Sequence, residues 1–164
     1  YVEEEVIIKP IGDSYQGGTI AHLFGPDDTG YDVNKQHGLI VTLENQGGMD
    51  VLENLRDVKT KALGSSIGDD LANTVLILSV QGEGKYAANI CADYEITEKN
   101  VLYDDWFLPS QGELFEIYEK IDLKGEFNTT YWTSTEEDRN AGAWRQNLFN
   151  STQNGSKKIR TFFG

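Results

Sequence analysis

At 164 residues the chain has single-domain length and enough material to bury a core. Apolar residues make up 38% and aromatics 11%, which argues against wholesale disorder, and 17 glycines against 3 prolines suit a turn-rich fold better than a plain helical bundle. A formal net charge of −13 argues against general binding to nucleic acid or to an anionic membrane surface, and the single cysteine, Cys91, leaves no intramolecular disulfide.

The first 11 residues carry Glu3, Glu4 and Glu5 and then Val6-Ile7-Ile8. They read as an edge strand or as a linker from an upstream portion, since the chain starts at Tyr1 without methionine and shows no signal segment. Residues 12–18 are turn-rich, 19–24 form a short buried strand, and 25–30 a loop. Gln36-His37-Gly38 leads into a second strand at 39–43, so the first 45 residues read as a hairpin with its tip near 25–37. Residues 49–68 are polar and show no periodic pattern.

Asp69 or Asp70 is placed to cap a helix in which Leu71, Val75 and Leu78 share a face. Gly82-Glu83-Gly84 ends it, and a second helix from about Lys85 carries Ala87, Ala88, Ile90, Cys91 and Tyr94, with Cys91 expected buried and inert. Residues 95–103 read as a connection. Asp105-Trp106-Phe107-Leu108-Pro109 then runs into a helix over about 110–121. Pro109 biases Leu108 towards extended geometry, and Ser110 and Glu113 have capping-box spacing. Leu114, Phe115, Ile117, Tyr118 and Ile121 recur at helical spacing.

Beyond a loop, 130–135 is β-prone, 136–142 is polar, and 143–149 alternates as a half-buried strand does. Residues 150–156 look like a turn and 157–163 like a third strand, giving an antiparallel meander. Charge is divided unevenly here: residues 93–138 hold 13 acids against 3 lysines, whereas 139–164 hold 5 Lys or Arg and no acid.

Several of these stretches occur together in a recognisable order. Gly17-Gly18-Thr19-Ile20, Gln36-His37-Gly38-Leu39-Ile40, Ala87-Ala88-Asn89-Ile90-Cys91, Asp105-Trp106-Phe107-Leu108-Pro109-Ser110, Tyr131-Trp132-Thr133-Ser134-Thr135-Glu136, Ala143-Trp144 and Lys158-Ile159-Arg160 follow one another. The chain thereby resembles, over about residues 12–163, the bacterial domain family typified by the C-terminal domain of the Legionella collagen-like adhesin, long catalogued as a domain of unknown function. The resemblance implies an α+β, C-type-lectin-like fold: two to three helices, a mostly antiparallel sheet and long loops. It implies one domain over 12–164, with residues 1–11 outside it. It further implies an exported, surface-attached or outer-membrane-attached protein, as in secreted proteins and lipoproteins, and a non-enzymatic binding module for polysaccharide or another glycan. The alternative is a structural or protein-interaction domain of a surface or fimbrial assembly. The adhesin binds sulfated glycosaminoglycans as a trimer, so an oligomer is compatible; partners would be a glycan or a surface protein, with no nucleic acid and no membrane insertion. The chain departs from the family at its end, where Ile159-Arg160-Thr161-Phe162-Phe163 replaces Val-Arg-Pro-Val-Arg and lacks the second arginine.

Candidate site residues follow from chemistry. Trp106, Trp132 and Trp144 lie on predicted strands or strand ends, where tryptophan most often fills a core. Trp144, flanked by Arg145 and a polar loop, is the best candidate for stacking a sugar. Arg139, Arg145, Lys158 and Arg160, with Lys157, form a basic face that would fork onto sulfate or carboxylate. Asp104, Asp105, Glu136 and Asp138 offer hard oxygens suited to calcium, the one cofactor considered. His22 and His37 are too few for a zinc site without further ligands. No nucleophile elbow surrounds Ser134, and Glu113 and Glu116 are accounted for by capping and solvent exposure, so no catalytic residue is assigned.

Overall fold

The computed structural model describes residues 8–46, 58–120, 130–137, 142–148, 150 and 152–156. Over these residues the chain is α+β, with three helices and three small antiparallel sheets.

The first sheet has the order β1 (Ser14–Tyr15), β2 (Gly18–Leu23), β3 (Gly38–Val41). Gln16 and Gly17 have φ of 51° and 81°, the paired positive values of a two-residue hairpin turn that matches strand twist. Gly17 is needed on a second count: a Cβ there would stand 2.4 Å from Ile96 Cγ2. The β2–β3 hairpin expected from the sequence is present, with a register shift between Ile20 and His22. Gly38 explains its motif, because a Cβ at this position would lie 2.2 Å from the His22 carbonyl oxygen. The hairpin tip is tied by Phe24 N–H to the His37 carbonyl at 2.9 Å and by Gly25 N–H to Asp28 Oδ2 at 2.8 Å. Just before β1, Lys9 N–H donates to Gln36 Oε1 at 2.8 Å. Residues 1–7, which include most of the expected N-terminal strand or linker, lie outside the described residues.

Helix α1 (Asp70–Gln81) occupies the span the sequence predicts, but it turns a different face inward. Leu71 and Val75 are 49% and 54% exposed, whereas Asn73, Thr74, Ile77 and Gln81 are buried. The inward polar groups bind backbone that has no ladder partner of its own. Asn73 Nδ2 donates to the Gly64 carbonyl at 2.7 Å, its Oδ1 accepts from Gly64 N–H at 3.2 Å, and Thr74 Oγ1 accepts from Leu108 N–H at 3.2 Å. Asp69 makes no side-chain cap; its Oδ2 accepts from Ser66 N–H at 2.8 Å instead. Helix α2 (Ala87–Ala92) packs on α1, its small residues allowing close approach. The core there gathers Ala62, Ile77, Tyr86, Ala88 and Leu108, with Leu78, Ala87 and Cys91 against it.

Residues 95–103 are not a plain connection. They form a hairpin of β4 (Ile96–Glu98) and β5 (Val101–Tyr103), turning at Lys99 and Asn100 with φ of 51° and 65°. Its Glu98 carboxylate accepts from Gly17 N–H at 3.0 Å, joining the two tight hairpins.

The capping box forms as its spacing requires. Ser110 N–H donates to Glu113 Oε2 at 2.7 Å, and Glu113 N–H donates to Ser110 Oγ at 3.3 Å, at the start of α3 (Gln111–Lys120). Leu114 and Ile117 are buried beneath α3, while Phe115 is 39% exposed.

The last sheet has the order β6 (Thr130–Glu137), β7 (Gly142–Asn147), β8 (Gln153–Ser156). The meander is therefore present, but its third strand lies in the stretch read as a turn; residues 157–163, the expected strand, fall outside the described residues. Sequence-silent residues 58–68 prove to be a strap gripped from three sides. Glu136 N–H donates to the Ala62 carbonyl at 2.7 Å, Thr135 Oγ1 to the Gly64 carbonyl at 2.7 Å, and Gly112 N–H to the Ser65 carbonyl at 2.9 Å. Ser134 N–H meets the Pro109 carbonyl directly at 2.8 Å. Thus Leu-Pro-Ser before α3 and Thr-Ser-Thr-Glu on β6 are two sides of one backbone clasp.

Candidate functional site

Between β3 and β6 lies a cavity of about 880 Å³. β3 and the segment after it supply one wall, through Leu39, Val41 and Asn45. β6 and β7 supply the facing wall through Tyr131, Trp132 and Arg145. Trp106 and Tyr103 come from the end of the β4–β5 hairpin, and Ile90 and Cys91 from α2. Tyr131 Oη donates to Asn45 Oδ1 at 2.8 Å and ties the two walls together. Trp106 is held by its Nε1–H to the Tyr103 carbonyl at 3.3 Å and by an edge-on contact with Tyr94, 5.3 Å between centroids.

Strand alternation decides which side chains share this space. Trp132 and Arg145 are register partners on β6 and β7, so they stand side by side on one face of the sheet. The Arg145 guanidinium carbon is 5.9 Å from the Trp132 ring centroid. Trp144, adjacent to Arg145 on β7, points to the opposite face and does not line the cavity. The structure therefore brings Arg145 together with Trp132 and Trp106, not with Trp144. All three tryptophans are half-buried rather than sealed in the core. Arg139, Lys158 and Arg160 lie outside the described residues, as does Lys157.

Burial shapes the acidic groups on the same cavity. Glu113 is 1% exposed, and its carboxyl is pushed up from 4.5 to about 7, first by burial and then by the neighbouring Asp70 charge. Hydrogen bonds oppose the rise: Oε1 accepts from Gly68 N–H at 2.6 Å, and Oε2 from Ser110 N–H at 2.7 Å. Asp70 is raised as well, chiefly by burial, and is hydrogen-bonded to Glu113. The two carboxyls form a pair that favours holding a proton, on the cavity lining and in the first turns of α1 and α3. The Cys91 thiol is pushed up to about 11 by burial.

The residues considered for calcium do not converge. Asp104 and Asp105 are exposed at the end of the β4–β5 hairpin. Glu136 is buried, and its carboxylate accepts from Thr60 N–H at 2.6 Å, Thr60 Oγ1 at 2.9 Å and Lys61 N–H at 3.3 Å. Its oxygens are occupied in holding the strap, an arrangement that does not fit a calcium ligand. Asp138 lies outside the described residues, and among the described residues no group of three or more His, Cys, Asp or Glu is arranged to hold a metal. His37 is exposed, whereas His22 is buried, with Nε2 3.0 Å from Asp28 Oδ2.

Sequence reasoning singled out Arg145 and missed its partner. Counting back from the intervening loop does not find it, because Trp132 lies five residues before the end of β6 and Arg145 three after the start of β7, and only the register shift between Trp132 and Glu136 brings them opposite each other. No helix among the described residues is long and apolar enough to cross a membrane. In comparisons with known proteins the chain matches no family model, no curated protein and no solved structure.

Proposed function

We propose that this chain is a non-enzymatic binding module of C-type-lectin-like build, of the adhesin-type family its motifs resemble, and that the cavity between β3 and β6 receives a glycan. The observation that carries this reading is the aromatic wall of Tyr103, Trp106 and Trp132 facing a single space that also presents polar groups from residues 42–46. Flat aromatic faces bury the C–H faces of sugar rings, while nearby amides and hydroxyls bind the ring hydroxyls. An exported, surface-attached setting goes with this reading.

Catalysis is a poorer account of the raised carboxyl. Both Glu113 oxygens accept backbone N–H groups and the side chain is almost fully covered, so it acts as a helix cap rather than as an acid facing substrate.

A second reading, a protein-interaction domain, is favoured by one observation. β3 and β6 are the outer strands of their sheets among the described residues and both border the cavity, but the far half of β6 is already bonded to Pro109 and Ala62, which leaves β3 and the start of β6 as the available edges. An extended peptide would add to such an edge.

The test is a glycan array at physiological salt, with calcium and then with chelator, followed by tryptophan fluorescence titration of each hit. Two of the three tryptophans line the cavity, so a ligand there shifts the emission. Glycan hits that leave the emission unchanged place the site elsewhere. An absence of hits, together with capture of extended peptides, replaces the glycan reading with the second one. Loss of binding in chelator would bring calcium back.

A further inference from the structure

Arg145 is half-buried, and its guanidinium forms no ion pair or hydrogen bond among the described residues; it lies against the Trp132 ring. That is unexpected in a chain with 27 acids against 14 Lys or Arg, where a carboxylate partner is the easiest group to supply. A half-buried guanidinium on a cavity wall with no carboxylate beside it is placed to take an anion that arrives from outside. The contact with the indole is a cation–π one at 5.9 Å and uses none of the guanidinium N–H donors, whose planar fork matches a carboxylate.

The rest of the cavity limits how much negative charge can enter. Glu44, Asp105 and the Asp70–Glu113 pair all line it. One anion drawn to Arg145 is compatible with that field, whereas a ligand with many anionic groups meets more repulsion than attraction. The aromatic wall beside the cation calls for a ring with an apolar face. We infer that the cavity takes a ring bearing a single carboxylate, namely a uronic acid residue of a glycan, with the carboxylate forked on Arg145 and the ring against the wall of Trp106 and Trp132. This rests on the glycan reading above and adds a ligand class to it.

The experiment titrates the full chain by tryptophan fluorescence and calorimetry with four probes. These are a disaccharide ending in one glucuronic acid, the same disaccharide with that carboxyl reduced to the alcohol, a heparin hexasaccharide, and phenylacetate. The uronate disaccharide should bind about tenfold or more tighter than its reduced form, as a charged hydrogen-bonding group does. Arg145→Gln should abolish that preference, and Arg145→Lys should restore part of it with the melting temperature held. If Arg145→Gln fails to fold, Arg145→Lys still reports, because a point charge on a flexible stem should cut the preference without removing it. Equal binding of the uronate and reduced forms overturns the carboxylate assignment and leaves the glycan reading standing. Tighter binding of heparin overturns the single-anion limit. Binding of phenylacetate alone overturns the uronate assignment together with the glycan reading while keeping a carboxylate site. Binding of none of the four overturns the uronate assignment and leaves the glycan reading to the array.

Discussion

Glu113 makes the most quantitative prediction. Its carboxyl is favoured in the protonated form by the fold, because ionisation would place a charge in a covered space beside Asp70. The sign follows. A carboxyl whose value rises on folding contributes stability that is fully present below its ordinary 4.5 and is lost as pH rises through about 7. The rise corresponds to about 3 kcal/mol between the two ends of that window. For a chain of this length that is roughly 6–12 °C in melting temperature. Other carboxylates and the growing net charge also respond to pH, so the informative quantity is the difference from Glu113→Gln. The amide does not titrate, but it keeps only one acceptor for the two N–H groups of Gly68 and Ser110. At pH 5 the variant should therefore be less stable by about 1–3 kcal/mol. By pH 8 it should match or exceed the parent. Urea unfolding of both proteins across pH 5–8, followed by circular dichroism, measures the two curves. Parallel curves, with the gap unchanged from pH 5 to 8, would refute the assignment of the titrating group to Glu113.

Three further outcomes test the packing. Ile77→Ala should cost about 2–4 kcal/mol while Val75→Ser stays within about 0.5 kcal/mol, because α1 buries the first and exposes the second; urea midpoints decide this, and equal costs would return the helix to the face expected from its apolar spacing. Gly38→Ala should destabilise by about 1–3 kcal/mol or more, since the added methyl meets the backbone carbonyl of His22, which has no rotamer to escape into; a neutral result in thermal unfolding would show that the hairpin gives way easily. Cys91 should react slowly with a thiol reagent at pH 8 in the native protein and at the ordinary rate in denaturant, because its thiol is pushed up to about 11.

What the sequence determined by itself is what local chemistry determines. The β2–β3 hairpin, the span of α1, the capping box of α3 and the strands β6 and β7 were all legible, because turn residues, caps and period-two alternation act over a few residues. The β4–β5 hairpin carries a weaker form of the same signal, with Asn100 between Thr97 and Val101, but strands of three residues are too short for alternation to show and 95–103 reads as a connection. Three features belonged to the tertiary structure. The inward face of α1 is polar because Asn73 and Thr74 must satisfy backbone outside the helix, at Gly64 nine residues before Asn73 and at Leu108 34 residues after Thr74. The strap at 58–68 has no periodicity of its own, since apart from short local bonds at Ala62 and Leu63 its hydrogen bonds go to β6, α1 and the start of α3. The partner of Arg145 depends on register. A shift between Trp132 and Glu136 puts Trp132 opposite Arg145, and pleating then sends Trp144 to the other face, so the aromatic-cationic wall exists only once the two strands are paired.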